Sequence, residues 1–190
     1  FDNKLNLPVF FAPIGSMQDF VNDGAIPSTL SAAKNKIFHM LSSTWSGGID
    51  LVGNAVDYPK LFQLYVRGDQ QWVFDQISKA IDNGFIALCL TVDLDAYGRR
   101  ERDLAKRYKT TSRKSIIDPR HQMNFSWKDV EKIKNKFKIP IIIKGIATAE
   151  DSILAVENGI DVIYISNHGG RQLDYGIGGC DLISTISKAV

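Results

Sequence analysis

The sequence predicts an α/β fold of repeated strand–helix units closed as a (β/α)8 barrel. Three observations carry that expectation. Short apolar runs alternate with amphipathic stretches at intervals of roughly 20–30 residues, the rhythm of parallel βαβ units. The runs are rich in Ile, Val, Leu and Phe and poor in polar residues, as strands covered on both faces must be. Polar side chains stand at the C-terminal end of nearly every run: Ser16, Ser42, Gln63 with Tyr65, Thr91 with Asp93, Lys144, and Ser166 with His168. An open doubly wound sheet concentrates its site at one switch point. A barrel gathers every strand end around one mouth, so polar groups on all six ends favour the barrel. The first strand is not followed by a G-x-G-x-x-G fingerprint, and no P-loop occurs.

The strands are expected at 9–14, 37–41, 61–66, 85–92, 140–144 and 162–166. A helix over 23–36 would turn Ala25, Ile26 and Leu30 inward, with small residues around Ala32. A second over 70–83 carries Val73, Phe74, Ile77 and Ile81 on one stripe and stops at Asn83-Gly84. Ser126 is the expected N-cap of a third, with Trp127, Val130, Ile133 and Phe137 on one face. Thr148-Ala149-Glu150-Asp151 opens a fourth with acidic residues at its positive end, and Asn158-Gly159 stops it. The connection 93–125 has no clear period; a loop of that length is a functional lid or a disordered segment.

Composition narrows the function. The 190 residues suit one domain, with 44% hydrophobic and 23% charged residues and a net charge of +2. Mixed charge argues against nucleic acid or a membrane surface as the main partner. The basic stretch 99–114 includes Glu101 and Asp103 and reads as a solvated loop. Cys89 and Cys180 support neither a disulfide framework nor a zinc site, so a reducing, cytoplasmic setting is expected. No apolar run reaches the roughly 18–20 residues of a membrane span, and no signal-peptide pattern is present. The chain begins at Phe1 just before an apolar strand and ends at Val190 within a helical pattern, which reads as a fragment cut at both ends.

The segment Ile165-Ser166-Asn167-His168-Gly169-Gly170-Arg171-Gln172-Leu173-Asp174 is the most informative. Its glycines let the backbone turn sharply and lie against a flat ligand. Its histidine can take a proton near neutral pH, and its arginine can hold a carboxylate through two hydrogen bonds. The plainer alternative is a Gly-rich turn with an incidental His and Arg. Thr91 and Asp93 share a strand face. Asp93 could orient the His168 imidazole, or simply cap the next turn. Lys144 follows a run of isoleucines and needs an anionic partner if it faces the mouth; a Schiff-base lysine and a counter-charge for an anionic cofactor are both open. Gln63 and Tyr65 put an amide and a phenol on one face, and Ser42-Ser43 add hydroxyls.

Together these segments resemble the FMN-dependent 2-hydroxy-acid oxidase and dehydrogenase family, which includes glycolate oxidase, lactate oxidase and mandelate dehydrogenase. The resemblance is carried by Ala12-Pro13-Ile14-Gly15, Leu41-Ser42-Ser43, Phe62-Gln63-Leu64-Tyr65-Val66, Leu90-Thr91-Val92-Asp93, Gly98-Arg99-Arg100-Glu101-Arg102-Asp103, Lys144-Gly145-Ile146 and Ser166-Asn167-His168-Gly169-Gly170-Arg171-Gln172-Leu173-Asp174, in family order along nearly the whole chain. It implies oxidation of an L-2-hydroxy acid to a 2-keto acid, with the α-hydrogen passing to N5 of FMN. Pro13, Ile14 and Gly15 would run beside the flavin ring. Ser42, Gln63, Thr91 and Lys144, with Ser166 nearby, would bind its pyrimidine edge. Tyr65, Arg100 and Arg171 would hold the substrate, His168 would take the hydroxyl proton, and Asp93 would stabilise the imidazolium.

The resemblance also implies about six of eight βα units in a single domain over 1–190. The family's phosphate-binding seventh and eighth strands, with Asp-Gly-Gly-x-Arg and Gly-Arg segments, are missing, as is an N-terminal substrate tyrosine. Weak FMN binding, or none, by these 190 residues alone is therefore expected. The region 109–125 looks shorter than the usual lid, and Gly15 replaces a common alanine. A homo-oligomer is expected of the full-length protein, and peripheral membrane association is compatible with the resemblance. The sequence does not distinguish oxygen, quinone or cytochrome as electron acceptor. Two competing readings remain: another FMN barrel, disfavoured by the His-Arg spacing, and an inactive or partner-dependent fragment.

Overall fold

The structure is a computed structural model describing residues 3–94 and 98–190. Tyr97, which the sequence groups with the arginine-rich segment, lies outside the described residues. Two compact units divide the chain: Phe1–Leu88 with Lys109–Asp118, and Cys89–Tyr108 with Pro119–Val190.

In the first unit the strands β1 (Phe10–Phe11), β2 (Phe38–Ser42), β3 (Lys60–Leu64) and the start of β4 (Phe85–Thr91) neighbour one another in chain order. β1–β2 and β2–β3 are parallel, and Ser42 lies opposite Gln63 in the β2–β3 register. Every residue of β2 and β3 is buried, including the polar His39, Ser42, Lys60 and Gln63 among their apolar neighbours. β1 departs from expectation. It is two residues long and exposed, because at the edge of the sheet it pairs on one side only.

The helices of this unit are α1 (Ile26–Asn35), α2 (Gly48–Ala55), α3 (Gln70–Asp82) and the later α5 (Thr111–Lys114), with a 3-10 turn at Met17–Asp19. α3 follows its apolar stripe and is capped by Asp69, whose carboxylate accepts from Trp72 N. Ile81 is 40% exposed and Ala80 takes its place against the core. α1 turns differently from its expected face: Leu30 is 45% exposed, while Ala25, Thr29 and Ala32 are buried. The reason is His39 of β2, which reaches Thr29 Oγ1 at 2.8 Å. That hydroxyl donates its proton to Ala25 O at 3.0 Å, so the imidazole Nδ1 must donate to Thr29.

Burial holds the His39 imidazole down at about 4, against an ordinary value of 6.5. Between those values the unfolded chain binds the extra proton, so acid favours unfolding. Stability from this group is whole above pH 6.5 and falls by about 2 kcal/mol on reaching pH 5. Urea midpoints recorded over that window should decline for the native chain and flatten for His39→Leu.

In the second unit the end of β4, β5 (Ile141–Ile146) and β6 (Val162–Ile165) are neighbours in that order, with β5 and β6 parallel. Helices α4 (Glu101–Ala105), α6 (Arg120–Met123), α7 (Trp127–Lys136), α8 (Ala149–Glu157) and α9 (Gly179–Ala189) complete it. Ser126 and Asp129 form a capping box at α7. Thr148 Oγ1 accepts from Asp151 N at the start of α8, and Gly159 follows its end at φ +68. β6 is less buried than a strand covered on both faces, with Val162 exposed. The connection predicted to be structureless contains α4, α5 and α6. Each has five residues or fewer, too short for a period to register.

Candidate active site

In the second unit, strand ends place a carboxylate, an imidazole and an ammonium together. The last ladder bond of β4 runs from Val92 N to Lys144 O at 2.9 Å, and Asp93 follows immediately. β5 bulges between Lys144 and Ile146, with Gly145 as the extra residue at φ +115. A bulge at a strand end re-aims the neighbouring side chain. A Cβ on Gly145 would stand 2.7 Å from the Asp93 Cβ, so glycine lets the two backbones approach. Gly145→Ala should therefore cost about 1–3 kcal/mol from the strained φ alone and displace Asp93. Thermal unfolding measures the first effect and loss of turnover the second.

His168 sits in the left-handed region at φ 57, its N–H donating to Ser166 Oγ at 3.0 Å. Nδ1 lies 3.0 Å from both Asp93 oxygens. The Lys144 ammonium is 3.8 Å from Asp93 Oδ2 and 3.5 Å from His168 Nδ1. An ionised carboxylate only accepts, so Nδ1 carries a proton and Nε2 is left as the acceptor. The lysine then contacts the imidazole as a charge, since Nδ1 has no lone pair to offer. Asp93 thus balances a nearly buried cation, as Lys144 in an apolar strand requires.

The arginines have local partners. Arg171 Nη1 donates to the carbonyls of His168 and Gly169 at 3.3 and 3.4 Å. Gly169 and Gly170 carry the turn at φ +66 and +69. Arg100 precedes α4, with Nη1 4.0 Å from Asp103 Oδ2. A Cβ on Gly98 would fall inside the Arg171 carbonyl oxygen, so the Gly98-Arg99-Arg100 segment packs on the loop bearing His168 and Arg171.

Two anchors here were not anticipated. Gln122 of α6, 4% exposed, donates to Thr91 O at 3.0 Å. Gln172 donates to Asp93 O at 2.9 Å. Cys89 lies buried near Lys144 and Asp93, and burial pushes its thiol up to about 12. It is an unreactive thiol rather than a nucleophile.

In the first unit, Ser42 and Gln63 end adjacent strands as buried polar groups, 2% and 0% exposed. Ser42 Oγ lies 2.9 Å from Thr44 Oγ1 and accepts from Thr44 N. Tyr65 N donates to Ser43 Oγ at 3.0 Å. Pro13 is half-buried and Ile14 is exposed. A Cβ on Gly15 would come 2.5 Å from Thr44 Oγ1, so an alanine here would crowd that hydroxyl. Ser16 and Asp19 also fasten α5: Ser16 Oγ accepts from Ser112 N, and the Asp19 carboxylate accepts from Thr111 N, both at 2.9 Å. The Thr110-Thr111-Ser112 run was the available sequence signal, since such residues cap helices.

The family model described as FMN-dependent dehydrogenase matches residues 1–190. The chain belongs to that family. Glycolate oxidase 5 of Oryza sativa subsp. japonica is 32% identical, covering 90% of this chain and 53% of the relative. The L-lactate dehydrogenase (cytochrome) of Wickerhamomyces anomalus is 30% identical, covering 92% and 33%. Among solved structures, a mandelate oxidase with 3,3-difluoro-2-hydroxy-3-phenylpropionic acid superposes with a TM-score of 0.88 at 28% identity, covering 98% of this chain and 55% of that one. A Pediococcus acidilactici protein described as a lactate oxidase gives 0.91 at 31% identity, covering 98% and 54%. The fold class is the expected one, consecutive βα units of the (β/α)8 type. The chain spans about half the length of most of these relatives.

FMN is the cofactor of this family, and the chain's polar groups fit it. Ser42 and Gln63 on strands of the first unit are at most 2% exposed; on strands of the second, Thr91 is 1% and Lys144 7% exposed. An amide, hydroxyls and an ammonium are the donors and acceptors that a flavin's carbonyls and ring N–H demand.

Proposed function

We propose that the protein oxidises a 2-hydroxy acid to the 2-keto acid with FMN, using His168 as the base. One observation supports it above the others: the His168 imidazole is held through Nδ1 by both Asp93 carboxylate oxygens at 3.0 Å. The substrate O–H bond and its α-C–H bond break and a C=O bond forms; the hydroxyl proton goes to His168 Nε2. FMN, when bound, supplies the acceptor for the α-hydrogen and the two electrons.

Asp93 holds the imidazole by one edge and balances its charge after protonation. Arg171 and Arg100 take the carboxylate, their guanidinium forks giving it a defined orientation. Arg171 exchanges its weak, long bonds to loop carbonyls for that partner. Tyr65 assists substrate positioning. Pro13, Ile14 and Gly15 would lie along the flavin ring, and Ser42, Gln63, Thr91, Lys144 and Ser166 would hold its polar edge. The relatives include a glycolate oxidase, an L-lactate dehydrogenase (cytochrome) and a mandelate oxidase. Those acids share the 2-hydroxy carboxylate and differ in side chain, so the arginines and His168 read the shared part.

Anaerobic mixing of the FMN-loaded protein with a panel of 2-hydroxy acids tests this. At least one should bleach the flavin absorbance and yield its 2-keto acid. Flavin that stays oxidised with every member of the panel would remove the reading.

A further inference from the structure

We propose that Gln172 is a positioning residue for the base, acting through the main chain of Asp93; the proposal rests on the reading of His168 given above. Asp93 has just left the β4 ladder, whose last bond is made by Val92. Its carbonyl needs a donor from elsewhere, and the Gln172 amide supplies it at 2.9 Å. Its carboxylate is held at the same time by His168 Nδ1, 3.0 Å from each oxygen. His168 and Gln172 are four residues apart on one glycine-rich loop, so that loop grips a single residue at both its main chain and its side chain.

The grip has a second side. The chain returns at Gly98 against the Arg171 carbonyl, so tightly that no Cβ would fit. A hypothetical Cβ there would also lie 3.1 Å from the Gln172 Cα. Gln172 therefore sits between the residue that holds the imidazole and the segment that presents Arg100. With the amide bond made, Asp93 cannot slide along the imidazole edge when the charge on His168 changes. Without it, the carboxylate keeps its charge but loses its fixed distance, and small misplacements of a catalytic group are expensive in rate.

Gln172→Met keeps the length and removes the donor. In the FMN-loaded protein at saturating substrate, the rate of flavin reduction should fall about tenfold to a hundredfold, with substrate affinity nearly unchanged. In an Asp93→Asn background the same substitution should add little, because the effect is transmitted through that residue. A merely structural glutamine would lower the rate by the same factor in both backgrounds, and that result overturns the proposal.

A second readout does not depend on turnover. The imidazole Nδ1–H held by Asp93 should give a downfield proton resonance, assigned by its loss in His168→Gln. It should shift and exchange faster with water in Gln172→Met, while an unchanged resonance rejects the positioning role. If no 2-hydroxy acid reduces the parent protein, the functional reading fails and this resonance still decides the role of Gln172.

Discussion

In the full-length protein, His168→Gln is expected to slow flavin reduction by a 2-hydroxy acid about 10²–10⁴-fold while FMN stays bound. The substitution is informative because glutamine reproduces one half of the imidazole. Its amide N–H can still donate to Asp93, so the carboxylate, the Lys144 ammonium 3.8 Å from it and the β4 end retain a partner. What disappears is the basic lone pair on Nε2, which no amide oxygen replaces. The flavin contacts assigned to the chain belong to other residues, so cofactor content should match the parent. Stopped-flow absorbance under anaerobic conditions reads the rate, and the flavin-to-protein ratio reads the binding. Reduction within a few fold of the parent would assign the proton to another group.

How much of this was legible in the sequence depended on range. The strands from β2 to β5 follow from apolar-rich runs, as burial on both faces requires, and the run of β6 was legible although that strand is only half-buried. Caps at Ser126 and Thr148 are local, since donor and acceptor lie three residues apart. The orientation of α1 was not legible. A buried histidine ten residues away draws Thr29 inward and leaves Leu30 in solvent, against the order of hydrophobicity. α2 was hidden by Gly47, Gly48 and Gly53, which read as turn residues, although Ile49 and Val52 carry a helical spacing.

The candidate site divides in the same way. The residue types were visible, and the resemblance placed them in order. The contacts that fix them span 75 residues from Asp93 to His168 and 79 to Gln172. No local signal links Gln172 to a carbonyl so far back, or marks Gly145 as a bulge facing Asp93.

Asp93→Asn should be the other severe substitution, for an electrostatic reason that the geometry makes specific. The Lys144 ammonium stands 3.5 Å from His168 Nδ1 and is tolerated there because the Asp93 carboxylate contacts both groups. Asparagine preserves shape but removes the negative charge. When the imidazole then takes the substrate proton, two cations face each other at that separation. At an effective dielectric constant of about 20 their repulsion is on the order of 5 kcal/mol. Asparagine can also turn its NH2 toward Nδ1 and favour the wrong tautomer, an effect worth about 10⁴-fold in a well-studied triad. Flavin reduction should fall about 10³–10⁴-fold by these two routes. The ground state suffers too, because Lys144 is left as a buried cation without its counter-charge, at a cost of about 3–5 kcal/mol. Lys144→Met added to Asp93→Asn separates the two effects. Urea denaturation of the double variant should recover much of the lost stability, since no uncompensated charge remains. Its reduction rate should stay low, since the carboxylate that orients the imidazole is still gone and the Lys144 ammonium proposed for the flavin edge is gone with it. Recovery of rate together with stability would mean that Asp93 serves Lys144 alone and takes no part in holding the base.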